Sequence, residues 1–241
     1  MSKILVILPT FNEAESISGL ITRILGEIAD ADVLVVDGGS KDGTSESVSE
    51  IASRNNRVNL LQEGAKRGLG KAYIAGFEWG LKRGYSKLVE MDADNSHQVH
   101  NLKQLLDVGD ADLVIGSRWV TGGQIMNWSR FRADLSRFAN RYVEFALRLG
   151  VNDATSGFRV YKAELLNRIE LKSIKSEGYT FQIEMTRAAR SLHAKIREVP
   201  IVFKEREFGK SKISRGIIFE ALLRVSYWGL RRIGGGGGGG I

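Results

Sequence analysis

The chain contains no cysteine, which excludes disulfides, thiolate zinc centres and cysteine nucleophiles. Histidine is scarce too, and three residues leave little imidazole for acid–base or metal chemistry. There are two prolines and no Pro-rich linker, so nothing marks a boundary between independent domains. No apolar run approaches the roughly 18–20 residues that a membrane-spanning helix needs. The run at residues 4–8 stops at Pro9 and is too short for the apolar core of a secretion signal, so a cytoplasmic location is expected.

What is present fits one α/β domain. A length of 241 residues, 43% apolar and 26% charged, supplies ample core for a single globular unit. Short β-branched runs at residues 4–8, 33–37, 58–61, 87–91 and 113–116 read as buried parallel strands. Between them lie amphipathic helical patterns; in the first, Ile17, Leu20, Ile21, Ile24, Leu25 and Ile28 form one apolar face. Others cover residues 44–54, 71–83 and 98–108. Strand–helix alternation of this kind predicts an open, doubly wound, mostly parallel sheet flanked by helices. In such sheets ligands sit outside the carboxyl ends of the strands, so the loops after the strands should carry function. Further on, residues 132–149 form an Arg-studded helical pattern and residues 179–192 another helix. Residues 196–203 read as a strand near an edge because Pro200 interrupts it. Residues 216–233 form a final amphipathic helix. Seven consecutive glycines follow, a flexible low-complexity tail. The expected organisation is therefore a main domain over residues 1–212, a docking helix at 213–233 and the Gly-rich tail at 234–241.

Charge is divided unevenly. Residues 1–116 carry 12 Lys and Arg against 17 Asp and Glu, a net −5; residues 117–241 carry 23 against 11, a net +12. An anionic partner for the second half follows, whether nucleic acid, phosphorylated ligand or membrane face; a merely solvated basic surface is the alternative.

Several motifs sit at the predicted strand ends. Asp92-Ala93-Asp94 places two carboxylates where both can reach a hard divalent cation, which commonly also takes phosphate oxygens; a solvated acidic turn is the plain alternative. Asp37 ends another strand, and an acid there can hold ribose hydroxyls or a base edge. The basic loop Gly64–Ala72 is no phosphate loop. A Walker loop needs Gly where Ala65 stands and Ser or Thr where Ala72 stands. Nor is it a dinucleotide fingerprint, since Tyr73 holds the third glycine position. His97 and His100 could share a helix face, but with no second cluster they suit a helix start better than zinc. Asn127-Trp128-Ser129 has the form of a glycosylation acceptor and means little without a secretion signal.

Taken in order, four segments carry a resemblance: Leu8-Pro9-Thr10-Phe11-Asn12-Glu13, Val35-Val36-Asp37-Gly38-Gly39-Ser40, Met91-Asp92-Ala93-Asp94-Asn95-Ser96-His97 and Gly116-Ser117-Arg118. Together they resemble the inverting family-2 glycosyltransferases of GT-A fold. In the second half, Asn127-Trp128, Arg132, Ser136, Thr155-Ser156-Gly157-Phe158-Arg159, the stretch from Gly178 to Glu184, and Arg206 with Gly209-Lys210-Ser211-Lys212 are similar to the dolichol- or polyprenol-phosphate mannosyltransferases. The resemblance implies transfer of mannose from GDP-mannose to a polyprenyl (dolichyl) monophosphate. It implies that Pro9, Phe11, Glu13, Val36, Asp37 and Gly38 line the donor site, with Asp92, Ala93 and Asp94. It implies that Asp92, Asp94 and Ser96 hold Mg²⁺ or Mn²⁺, with Asp94 and Arg118 catalytic. It assigns Arg118, Arg132, Ser136, Arg206 and Lys212 to the lipid phosphate. Gly38 stands where the family usually has a second Asp, which leaves UDP-glucose or another nucleotide sugar as the alternative donor.

Physical chemistry agrees with that reaction. A phosphate monoester has a second pKa of about 6, so the acceptor is anionic near neutral pH without a strong general base. Cations that bring two anions together are needed instead, and arginine forks suit that role. Without a membrane span, the protein is expected at the cytoplasmic face of a membrane, held there by its last helix or by a separate small membrane-anchoring subunit. A non-catalytic lipid-phosphate-binding module is the competing reading from another class. Nucleic acid is not an expected partner, because no strand interleaves aromatic and basic residues for base stacking.

Overall fold

A computed structural model describes residues 3–65, 68–205 and 215–234. Nine strands and eight α-helices are found among these residues. In chain order they are β1 (Ile4–Thr10), α1 (Ala14–Glu27), β2 (Ala31–Asp37), α2 (Thr44–Arg54), β3 (Val58–Gln62) and α3 (Leu69–Leu81). Then come β4 (Lys87–Glu90), α4 (Val99–Leu106), β5 (Leu113–Ser117), β6 (Gln124–Met126) and α5 (Arg130–Leu147). The remainder are β7 (Arg159–Lys162), α6 (Ala163–Arg168), α7 (Gly178–Ser191), β8 (Ile196–Pro200), β9 (Val202–Lys204) and α8 (Arg215–Gly234).

Seven strands form one sheet in the order β3-β2-β1-β4-β7-β5-β8. Every pairing is parallel except those of β7, which runs antiparallel between β4 and β5. Alternate side chains of each strand enter two separate cores, as the two-residue period of a strand requires. Leu5 and Ile7 face the core shared with α3, α5, α7 and α8; Ile4, Val6 and Leu8 face the one shared with α1 and α4. Helix α3 lies close on the sheet because Gly76 and Gly80 face it; a β-carbon there would come within 2.6 Å of Ile7 and 2.7 Å of Leu5.

Register aligns the functional edge. Thr10 pairs with Asp37, and Asp37 with Gln62, while Ile7 pairs with Glu90, so the loops after β1 to β4 leave from one side of the sheet. Strand β7 begins at that edge, with Arg159 opposite both Glu90 and Ile115, so the loop leading into it arrives among the others. Pro9 is tolerated inside a central strand because β4 has already parted from β1 beyond Ile7, on the side where its missing N–H would point.

One sequence expectation changes. The stretch 196–203 is two strands rather than one: β8 is the edge of the main sheet, as Pro200 suggested, and β9 pairs with β6 in a separate two-stranded sheet. Helix α8 packs on the rest of the chain. Val225 is buried in the core and Gly229 sits against Ala146 of α5, while Leu222, Leu223, Tyr227 and Leu230 on the same helix are exposed.

Candidate active site

The acidic side of the site is built by the chain leaving β4. Asn95 adopts a left-handed conformation with φ 63°, which turns the segment tightly enough for the Ser96 N–H to donate to Asp94 Oδ1 at 3.1 Å. Tyr73, buried on α3, donates its hydroxyl to Asp92 Oδ1 at 3.3 Å. On the other side His97 Nε2 lies 3.6 Å from Asp92 Oδ2, its ring clamped between Phe158 and Phe203. Ser96 Oγ is buried without a protein hydrogen-bond partner. Asp92, Asp94 and Ser96 thus line one small cavity of about 60 Å³. Two carboxylates and an orphaned hydroxyl are hard oxygen donors, and they fit a divalent cation that completes its shell with phosphate oxygens and water. A closed cage of three or more acidic, His or Cys ligands is absent among the described residues.

Behind these residues lies a polar cluster whose contacts no sequence pattern shows. Burial pushes the Glu90 carboxyl up to about 7, against the pull of Arg159. Arg159, fully buried, donates to the Ala154, Ser156 and Gln182 carbonyls and to Thr186 Oγ1, which fixes the loop entering β7. That loop brings Gly157 alongside Asp92, with 3.7 Å between its absent β-carbon and the carboxylate oxygens.

The basic side centres on Arg118, immediately after β5. Its Nε and Nη2 bond Asp153 Oδ2 and Oδ1 at 2.7 and 2.6 Å, and Nη2 also reaches Thr155 Oγ1 at 2.9 Å. Both partners are buried. Burial disfavours the Asp153 charge, but Arg118 outweighs it and holds the carboxyl below its ordinary range. Asp153 is in turn fixed by Glu198, which accepts from its backbone N–H at 2.9 Å. Arg132, in the first turn of α5, lays its guanidinium 4.0 Å from the Trp128 ring centroid and pairs with Glu205. Arg118, Arg132 and Ser136 line a second cavity of about 450 Å³ that runs outward between α5, α7 and α8. Away from the arginines its walls are Leu135, Phe138, Val143, Ile183, Leu222 and Val225.

The donor-side residues are sorted by the fold. The loops after β1 and β2 are zipped together: Asn12 N–H donates to Ser40 Oγ, Glu13 N–H to Thr44 Oγ1 and Ala14 N–H to Asp42 Oδ2. This leaves Pro9, Phe11, Glu13 and Gly38 at the strand ends beside that junction. Asp37 is saturated, accepting from Thr10 Oγ1, Ser40 Oγ, Ser45 Oγ and the Gly39 and Ser40 N–H groups. Burial pushes its carboxyl up, yet those bonds outweigh it and hold it below its ordinary value. These bonds hold the turn after β2. Val36 and Ala93 point their side chains into the two cores, so only their backbones can meet a ligand. Arg206 and Lys212 lie outside the described residues.

The profile of the family described as Glycosyl transferase family 2 matches residues 5–170, a span that runs from β1 through α6 and holds both sides of this site. The chain belongs to that family. Among curated family-2 relatives, a polyprenol monophosphomannose synthase of Mycolicibacterium smegmatis is 47% identical over 230 residues, covering 94% of this chain and 87% of the relative. An undecaprenyl-phosphate mannosyltransferase of Micrococcus luteus is 48% identical over 229 residues, covering 95% and 94%. Among solved structures, glucosyl-3-phosphoglycerate synthase from Mycobacterium tuberculosis in complex with Mn²⁺ and UDP-glucose superposes with a TM-score of 0.69 at 19% identity, covering 94% of this chain and 79% of that one. Mannosyl-3-phosphoglycerate synthase from Rubrobacter xylanophilus gives 0.66 at 20% identity, covering 99% and 77%. These structures share the GT-A arrangement of the family-2 chain.

Proposed function

We propose that this protein transfers mannose from GDP-mannose to the phosphate of a polyprenyl phosphate, with inversion at the sugar carbon. The observation that carries the reading is the long apolar cavity ending at Arg118 and Arg132, since an acceptor with a charged head and an isoprenoid tail needs both parts. The names of the two curated relatives support the same acceptor class and sugar.

In this mechanism an acceptor phosphate oxygen attacks the anomeric carbon, the bond from that carbon to the diphosphate breaks, and the nucleoside diphosphate leaves. A single displacement inverts the configuration. Asp92, Asp94 and Ser96 would hold Mg²⁺ or Mn²⁺, which when bound offsets the charge developing on the diphosphate. Arg132 and Arg118 hold the acceptor phosphate against its repulsion from the donor, Arg118 being kept in place by Asp153. Ser136 stands one helical turn beyond Arg132 on the same cavity wall and adds a hydroxyl donor. No side chain has to remove a proton, because the phosphate is already anionic near neutral pH. Side-by-side turnover of GDP-mannose and UDP-glucose tests the donor: preference for GDP-mannose supports the reading, and exclusive use of UDP-glucose overturns that part.

A peripheral position on the cytoplasmic face of a membrane belongs to the same proposal. Phe131, Phe138 and Phe145 recur every seven residues along α5 and are exposed, and Leu223, Tyr227 and Leu230 on the adjoining α8 are exposed as well. Arg130, Arg137, Arg141, Arg231 and Arg232 are interspersed on these helices, a composition suited to an anionic interface. Among the described residues no helix is long and apolar enough to cross a membrane. Phe138→Glu with Phe145→Glu is expected to lower binding to anionic vesicles at least about tenfold, each charge costing well over 1 kcal/mol at an apolar interface. Co-sedimentation measures it; undiminished binding would place the contact elsewhere.

A further inference from the structure

Resting on the reading that Arg132 meets the acceptor phosphate, we infer that Glu205 occupies the phosphate's place on that guanidinium and is displaced by the incoming acceptor, so that Glu205 sets acceptor affinity. The two arginines of the site are paired in different ways. Arg118 and Asp153 are 5% and 0% exposed, joined by two parallel bonds and a third to the Arg118 backbone N–H, an arrangement built to stay. Arg132 and Glu205 are 30% and 41% exposed and joined through a single guanidinium nitrogen. A partly exposed pair of this kind is weak and exchanges easily.

Arg132 does not need Glu205 to hold its position, because its guanidinium already lies against the Trp128 ring and Trp128 is braced edge-on by Phe203. Glu205 is delivered by a fixed element. It follows β9, which pairs with β6, and its N–H donates to the Met126 carbonyl at 3.1 Å. A carboxylate and a phosphate present the same kind of anionic oxygens to a guanidinium, so the two compete for one position. An acceptor that also fills the apolar cavity gains enough to displace the carboxylate, whereas a phosphate without a tail must displace it unaided. The displacement cost is the same for both, so Glu205 lowers the affinity of every phosphate ligand at Arg132 by a similar factor.

Glu205→Gln keeps the shape and removes the charge. It should lower the Kd of a short-chain polyprenyl phosphate, read by calorimetry, and its KM in transfer by about 3–5-fold, the range an exposed ion pair supports. Inhibition by inorganic phosphate should strengthen by a similar factor, and KM for the nucleotide sugar should not move. In an Arg132→Ala background the same substitution should give no gain. An unchanged or raised KM overturns the inference, since Glu205 would then be supporting Arg132. Equal gain without Arg132 also overturns it, as general relief of charge repulsion. If the unaltered protein turns over no polyprenyl phosphate at all, the functional reading falls and the inference falls with it. Turnover with no effect of Glu205→Gln removes the inference alone.

Discussion

Asp94→Ala is expected to reduce sugar transfer at least about a thousandfold, roughly 4 kcal/mol of barrier, while the protein stays folded. The size follows from the chemistry of the departing group. A nucleoside diphosphate leaves with its charge unneutralised unless a cation is held against it, and the described part of the site offers two carboxylates and one hydroxyl for that purpose. Removing one carboxylate from so sparse a set takes away a large share of the binding. The fold should survive because Asp94 lies in the turn beyond β4 rather than in the sheet. Turnover with saturating Mn²⁺, together with Mn²⁺ affinity measured directly in the presence of nucleotide, checks the prediction. Activity within about threefold of the unaltered protein, under 1 kcal/mol, would remove Asp94 from the metal site.

Asp153→Asn should have the largest effect on stability. Its carboxylate is the buried counter-ion of Arg118, and taking away one member of such a pair leaves an uncompensated charge costing about 3–5 kcal/mol. That is a large fraction of the 5–15 kcal/mol typical of a folded domain. The pH dependence has a definite sign. Because the folded carboxyl is held below its ordinary value of 3.8, its contribution is present above that pH and is lost as pH falls through the lower folded value. Denaturant melts at pH 7 and across the acid range should therefore show a variant weaker at neutrality, with a shallower loss of stability in acid. Its turnover should fall as well, since Arg118 loses the partner that orients it. A loss under about 1 kcal/mol at pH 7 would mean that the pair does not organise the site.

Much of this architecture was legible in the sequence, for reasons particular to each element. Four of the first five strands, β1, β2, β4 and β5, are buried on both faces, so their apolar runs stand out against polar loops, and Asp92, Asp94 and Arg118 fall at strand ends where chemistry is expected. Strand β7 escaped because it is four residues long, begins with a buried arginine and ends with a lysine. The alternation around Phe158 and Val160 was the only hint of it. Asp153 was missed because its partner is 35 residues away, a distance that no local pattern bridges. Asp37 reads as a ligand group from its position at a strand end; the bonds that also tie its carboxylate into the fold depend on Thr10 and Ser45 converging from separate elements. The acceptor cavity was invisible for a similar reason. The arginines of α5 mask the apolar character of its phenylalanine face in the sequence, and only the packing of α5 on α8 turns two apolar helix faces into one cleft.

The central claim is that the cleft ending at Arg118 and Arg132 receives a phosphate carrying an isoprenoid tail. The direct test is to incubate the purified protein with labelled GDP-mannose, a divalent cation and equal concentrations of polyprenyl phosphate and phosphoglyceric acid, then identify the labelled product by mass. The account predicts label in polyprenyl-phosphate mannose, with little in the water-soluble product. Label in mannosyl-phosphoglycerate, with none in the lipid, would contradict it.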